Sequence, residues 1–384
     1  MTGRPAPRLV GLDVARCLAL LGMVATHVLE AREQDGSLAF SQALAGGRSA
    51  ALFAVLAGVT LALMTGRTRP LRGRARLGRS AGVAVRAVLI GALGLALGGL
   101  DTGIAVILTY YGLLFLLGLP FVGLGAPALA GLAVAWTVVA PVLSHVLRPS
   151  LPERGYDSPT FGQLAEPGQL ASELLLTGYY PVVPWLAYLL AGMALGRLDL
   201  GRRPVQATVA TVGAAAAALA TLLSRTATSR PDVAEALLAG GGPPASSGTG
   251  LLDAIAEGMA GTTPTGGPWQ WLLVVAPHSA TPFDLAQTIG SALLVIGVAL
   301  LVLGSVGDLA ARALAVLFGA GTMTLTLYTL HLVMKTPAVP PAETPDSYVV
   351  HVLVLLGVGA VFVALGLRGP LEWFVSRVSA RVVR

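Results

Sequence analysis

One cysteine, one lysine and little charge of either sign set the first limits on this chain. Cys17 has no second cysteine to join, so an internal disulfide is excluded. Charged residues make up only 11% of the 384 residues, against roughly 25% in soluble globular domains. So few charges cannot clothe a water-soluble enzyme of this size. No GxxxxGK[ST], HExxH or CxxC spacing occurs, so nothing argues for nucleotide hydrolysis or zinc, and no metal is expected. What is present is apolar: 55% hydrophobic residues with 48 Gly, and a mean hydropathy of +0.77. The net charge of +6 comes from arginine, since Lys335 is the only lysine. In a soluble chain that balance would suggest nucleic acid. In a lipid-embedded chain the positive-inside rule accounts for it, and no nucleic-acid partner is expected.

The fold class that follows is all-α, a polytopic membrane bundle. A hydrocarbon core of roughly 30 Å needs about 20 apolar residues per helix. Apolar runs place about ten spans, at 9–29, 46–65, 80–100, 104–124, 126–147, 179–196, 204–224, 283–304, 312–334 and 347–367. The segment 269–277 (WQWLLVVAP) is too short to cross and reads as interfacial. The whole chain, 1–384, reads as one transmembrane domain with two long loops on one side, at 148–178 and 225–282. The second contains GGGPPASSGTG, which reads as a flexible linker, and neither loop reads as a folded domain of its own.

Arginines orient the bundle. The loop 66–79 carries Arg67, Arg69, Arg72, Arg74, Arg76 and Arg79, and the same side receives Arg4, Arg8, Arg197, Arg202, Arg203, Arg312, Arg368, Arg377, Arg381 and Arg384. The other side has Arg32, Arg148, Arg154, Arg225, Arg230 and Lys335. The richer side is expected to be cytoplasmic, with both termini on it. The first apolar run is interrupted by Asp13 and Arg16 and is followed by no small-residue cleavage site, so it reads as a retained helix and not a signal peptide.

Charge inside a membrane is expensive, about 2.5–3.5 kcal/mol per group on insertion scales, so each instance needs a reason. The first helix, GLDVARCLALLGMVATHVLE, holds Asp13, Arg16 and His27. Asp13 and Arg16 are three apart and can pair on one face. Arg16 and His27 are eleven apart, about 20° from eclipsing after three turns and ~16 Å along the axis. One helix face therefore offers a guanidinium near one surface and an imidazole near the other. All five histidines (His27, His145, His278, His331 and His351) fall at the arginine-poor side. Histidine is the usual base at neutral pH. Taken alone, each polar group also has a bland reading: Arg16, Arg48 and Arg86 as snorkelling side chains, and His145 and His351 as interfacial residues.

These residues resemble those of the transmembrane acyltransferase superfamily. D-x-x-R and R-x10-H in the first helix, then GRSAALFAVLAGVTLALM, YYGLLFLLGLP, TGYYPVVPWLAYLLAGMALGRLDL, PHSATPFDLAQTIGSALL, GTMTLTLYTLH and RGPLEW, occur in the family's order over nearly the whole chain. The pattern is similar to acyltransferase-3 proteins. It is closer to the bacterial membrane proteins that resemble heparan-α-glucosaminide N-acetyltransferase. The resemblance implies a protein of the bacterial cytoplasmic membrane. It implies transfer of an acyl group, usually acetyl, from cytoplasmic acyl-CoA to a sugar or similar small-molecule or glycan acceptor on the outer side. Arg16 and His27 fall on the acyltransferase-3 motif. In the lysosomal enzyme an Asn takes the place of His27 and the proposed base lies in the first outer loop, yet no His occurs between Ala31 and Gly46. His331, in GTMTLTLYTLH, is therefore a second candidate base.

The residues themselves fit that chemistry. Acyl transfer needs a base for the acceptor's proton, for which His27 and His331 compete, and a donor for the developing oxyanion. The phosphates of acyl-CoA call for arginine, offered by Arg16, paired with Asp13, and by Arg86. Arg48 and His278 are candidate acceptor-binding residues. The competing reading is a transporter or flippase for a lipid-linked or small polar substrate, with Asp13, Arg16 and His27 as its proton or anion path. A homo-oligomer in the bilayer is compatible with either.

Overall fold

A backbone in lipid must satisfy its own N–H and C=O groups, and helices do so within one segment. The computed structural model describes residues 9–155, 158–339 and 344–382; Arg4, Arg8 and Arg384 of the orientation argument lie outside the described residues. Among these the chain is helical, with one isolated antiparallel bridge between Arg32 and Leu38. The site rests on α1 (Val10–Val28), α2 (Arg48–Met64), α3 (Gly73–Leu97), α4 (Leu108–Gly118), α5 (Ala126–Leu147), α6 (Val182–Gly196), α7 (Arg203–Thr228), α8 (Pro282–Leu303), α9 (Thr324–Met334), α10 (Ser347–Ala364) and α11 (Pro370–Val382).

Seven of the described helical segments are long and apolar enough to cross a membrane, and an eighth forms if Pro167–Thr177 and α6, which meet at 51°, are taken together. The chain is a multi-pass membrane protein. Two expected spans are shorter apolar helices, Leu108–Gly123 and α9. The stretch 312–334, expected as one span, is broken into Asp308–Leu317, a 3-10 turn at Gly319–Thr322, and α9. Close backbone passage explains the break. A Cβ on Gly321 would strike the Asp13 carbonyl, and one on Gly319 would lie 2.5 Å from the Gly359 carbonyl. The turn is thereby wedged between α1 and α10, where a regular helix with side chains has no room.

Small residues set the main helix contacts, as expected where lipid removes a hydrophobic drive between helices. Gly58 of α2 faces Gly192 of α6, and Gly213 of α7 faces Gly290 of α8, each with the partner's backbone where a side chain would go. Gly192→Val forces its side chain into the Val55 carbonyl, while Gly131→Val on α5 meets nothing within 4 Å. Overpacking typically costs about 1–3 kcal/mol. In detergent the first variant melts several degrees below the parent and the second melts with it. Equal melting of the two variants would remove the close α2–α6 contact from the account.

The loop 225–282 holds structure on either side of the expected linker: Pro231–Ala239 and Gly248–Ile255 present Val233, Leu237, Leu251 and Ile255 to Trp271 and Val274, forming a small core apart from the bundle's. Each short helix places two apolar residues four apart on one face, too little to bury alone. Trp271, fully buried, fills the space between them, and Val274 and Ala276 of the segment 269–277 join it in this core. Arg32 reaches Asp253 (2.9 Å) and Glu257, and Gln42 donates to the Glu257 carbonyl (2.5 Å). Those bonds strap the loop over the His27 end of α1. Buried Arg148 anchors the same loop through the carbonyl (2.6 Å) and hydroxyl (2.8 Å) of Thr263.

Candidate functional site

The i, i+3 spacing in α1 brings Arg16 to Asp13, Nη1 to Oδ1 at 2.8 Å, while Nη2 donates to the Thr60 hydroxyl of α2 (3.0 Å). Both charges line a cavity of about 300 Å³ walled by α1, α2, α3, α4 and α9. Arg86, from the middle of α3, opens into the same cavity and makes no hydrogen bond or ion pair among the described residues. Glu372 of α11 closes the floor. Its carboxylate accepts from the backbone N–H of Leu325 (2.7 Å) and Thr326 (3.2 Å) and from the Thr326 hydroxyl (2.6 Å). A carboxylate there satisfies donors that the first turn of α9 leaves open. Glu372 lies in the RGPLEW motif and is not among the candidate site residues read from the sequence. Tyr111 and Tyr328 also line the cavity, and His331 lies one helical turn beyond Tyr328 along α9.

At the far end of α1 the histidines converge. Nδ1 of His27 lies 3.1 Å from Nε2 of His331, with the rings stacked 5.3 Å apart. Nδ1 of His331 lies 3.0 Å from Nδ1 of His351 on α10. His331 is wholly buried and both its ring nitrogens are taken up by its neighbours. His27 is only partly buried, and its Nε2 has no hydrogen-bond partner among the described residues. Because His331 meets the two other rings through different nitrogens, the three share no common point for one ion. Lys335 donates to the His27 carbonyl (2.8 Å).

His351 corrects an expectation. It is 4% exposed and bonded to His331, where the sequence placed it at the interface. The available signal was that α10 is apolar throughout and His351 is its lone ionisable group after the first turn. His145 stays apart from the cluster, on α5.

His278 closes the histidine end from the loop side. Its backbone sits in the left-handed region at φ +57, as does that of Ala280 at φ +51, a conformation rare for residues with a side chain and concentrated at functional sites. Asp284 at the start of α8 secures the turn by accepting from the Ala280 N–H (3.0 Å). Thr281 donates to the Val274 carbonyl (2.6 Å) and caps α8. The His278 ring lies against Tyr179 (5.1 Å), Tyr180 (5.7 Å) and Trp185 (6.4 Å). Arg48, the other expected acceptor residue, follows Gly47, whose Cα side abuts Pro277, and its guanidinium donates to the Ala43 carbonyl (2.5 Å). The two candidates are thus neighbours through their backbones, while Asp13, Arg16 and Arg86 gather at the opposite end.

Burial among these rings pushes the His278 imidazole down from 6.5 to about 4. Between those values the unfolded chain binds a proton that the folded chain refuses, so this contribution to stability is whole above about 6.5 and is lost as pH falls toward 4. The drop in melting temperature from pH 7.5 to pH 5 is therefore smaller in His278→Phe than in the parent. Equal drops would show that folding does not lower the His278 pKa.

The model of the heparan-alpha-glucosaminide N-acetyltransferase catalytic family matches residues 8–228, more than half of the chain. The chain belongs to that family. No curated protein matches it. The matched segment holds Asp13, Arg16, His27, Arg48 and Arg86 and ends before His278, His331 and His351. It is thus a membrane-embedded member of an acetyltransferase family, and three of its four clustered histidines lie beyond the matched region.

Proposed function

We propose that this protein transfers an acyl group, acetyl by the family's name, from acyl-CoA bound at the arginine end to an acceptor bound at the histidine end. The observation that carries the reading is α1 itself. One helix places Arg16 in a cavity with Arg86 and, about three turns on, places an imidazole with a free nitrogen. The cavity, near the lower limit of ligand pockets, suits the pantetheine arm, while the diphosphate and 3′-phosphate lie toward its arginines. His27 Nε2 is the base, since His331 has no nitrogen left to offer a substrate. As the acceptor N or O attacks the thioester carbonyl, its proton passes to His27, the C–S bond breaks, and the thiolate leaves with the electron pair. Arg48 and His278 border the acceptor. The acceptor is a glucosaminide or a similar sugar, which the family name supports.

The arginine bias puts the donor on the cytoplasmic side and the acceptor outside. Purified protein in liposomes tests both points: labelled acetyl-CoA on the arginine side yields acetylated glucosamine on the other side, with one free thiol formed per acetyl transferred. Movement of the amino sugar with no thiol released would establish the transporter reading instead. An impermeant thiol reagent reaching a cysteine placed in loop 66–79 from outside intact cells, in a Cys17→Ala background, would reverse the sidedness.

A further inference from the structure

Three imidazoles in hydrogen-bonding series are more than one base requires. Beside His27 and His331 the structure brings His351, buried on a helix whose residues are otherwise mostly not buried. The series has two proton arrangements. In one, His27 Nδ1–H donates to His331 Nε2 and His331 Nδ1–H donates to His351 Nδ1, which leaves a lone pair on His27 Nε2. In the other, every proton is shifted and His27 Nε2 is blocked. Only the first arrangement is competent to accept a proton.

We propose that His351 is a positioning residue at the end of a proton relay, and that the positive charge created when His27 deprotonates the acceptor comes to rest on it. The proposal rests on the reading of His27 as the base. When His27 Nε2 gains the acceptor's proton, its Nδ1 proton moves to His331 Nε2 and the His331 Nδ1 proton moves to His351 Nδ1. His27 and His331 end neutral, and His351 ends as an imidazolium. After the product leaves, the same hops run backward and His27 Nε2 returns one proton to water, so protons balance over a turnover.

Electrostatics favour the transfer. Lys335, the only lysine, holds its ammonium at the His27 carbonyl and acts on His27 ahead of any other charged neighbour, but last on His331. A charge left on His27 would face the Lys335 ammonium in a medium where Coulomb repulsion is only weakly screened, and passing the proton to His351 on α10 moves it two rings along the series. Ser347, one turn before His351 on the same face, keeps a buried hydroxyl oxygen with no partner among the described residues, an acceptor placed near the end of the series.

The test compares His351→Ala and His351→Asn, since Asn keeps a hydrogen-bonding group where Nδ1 stood but cannot carry a proton. Both are expected to lower kcat by about 10–100-fold with acceptor KM and acetyl-CoA Kd unchanged, and the rate against deuterium fraction, curved in the parent, becomes linear. Added imidazole restores part of the His351→Ala rate. Full activity in His351→Asn, or a curved isotope profile in a slowed His351→Asn, overturns the relay and leaves His351 as a prop for His331. If His351→Ala does not fold, His351→Asn alone decides on the same criteria. A parent-like rate in His27→Ala would remove the base assignment, whereas a dead His27→Ala beside a fully active His351→Asn removes only the relay.

Discussion

His27→Ala lowers acetyl transfer by about 10²–10⁴-fold, the usual contribution of a positioned base, which is ~3–5 kcal/mol of transition-state stabilisation. Acetyl-CoA affinity stays within about twofold, because the cavity proposed for the donor is walled at the other end of α1 by Asp13, Arg16 and Arg86. A fall in kcat without a change in donor binding is the mark of an interaction made in the transition state. The alanine also strips His331 Nε2 of its partner, and a buried unpaired group costs about 1–3 kcal/mol. His27→Asn is the companion variant, since it retains a group at the Nδ1 position to meet His331 but offers no base. Both variants are therefore slow, and His27→Asn is the more stable. Near-parent turnover in His27→Asn would move the base elsewhere, with His278 the next imidazole in reach.

Arg86→Ala weakens acetyl-CoA binding by about 10–100-fold with little effect on the rate at saturation. A hydrogen bond to a charged group is worth about 1.5–3 kcal/mol, and tenfold in Kd corresponds to about 1.4 kcal/mol. Arg86 is the cleaner probe of the two cavity arginines. It has no partner among the described residues, so its removal strands nothing. Arg16→Ala would remove the ion pair that Arg16 makes with Asp13, so its effect mixes that pair with donor binding. Arg16→Lys keeps the charge but not the fork that reaches Asp13 and Thr60 together, so it weakens donor binding without unfolding the protein. Titration by isothermal calorimetry in detergent reads both. Parent-like affinity in Arg86→Ala would make that residue a snorkelling side chain and leave Arg16 as the donor-side cation.

Much of this was written in the local pattern. Apolar run lengths gave the helical class and most helix positions, because a backbone in lipid has few alternatives to helix. The i, i+3 and i, i+11 spacings put Asp13, Arg16 and His27 on one helix, as geometry within a helix depends on nothing outside it. Other features are invisible at that range. The break at Gly319–Thr322 arises from how closely α1 and α10 pass the turn, and apolar run length carries no trace of it. The core around Trp271 joins residues some 40 positions apart, each too weakly patterned to announce a fold.

The division is clearest at the histidines. Composition and position alone determined that this is an all-helical membrane protein, because hydropathy acts on each segment separately. Which histidine keeps a free nitrogen, which is enclosed, and that His351 joins them were decided only by the tertiary structure. Those facts depend on three helices, α1, α9 and α10, meeting within hydrogen-bonding distance, and hydrogen bonds between residues 20 and 304 positions apart leave no local signature.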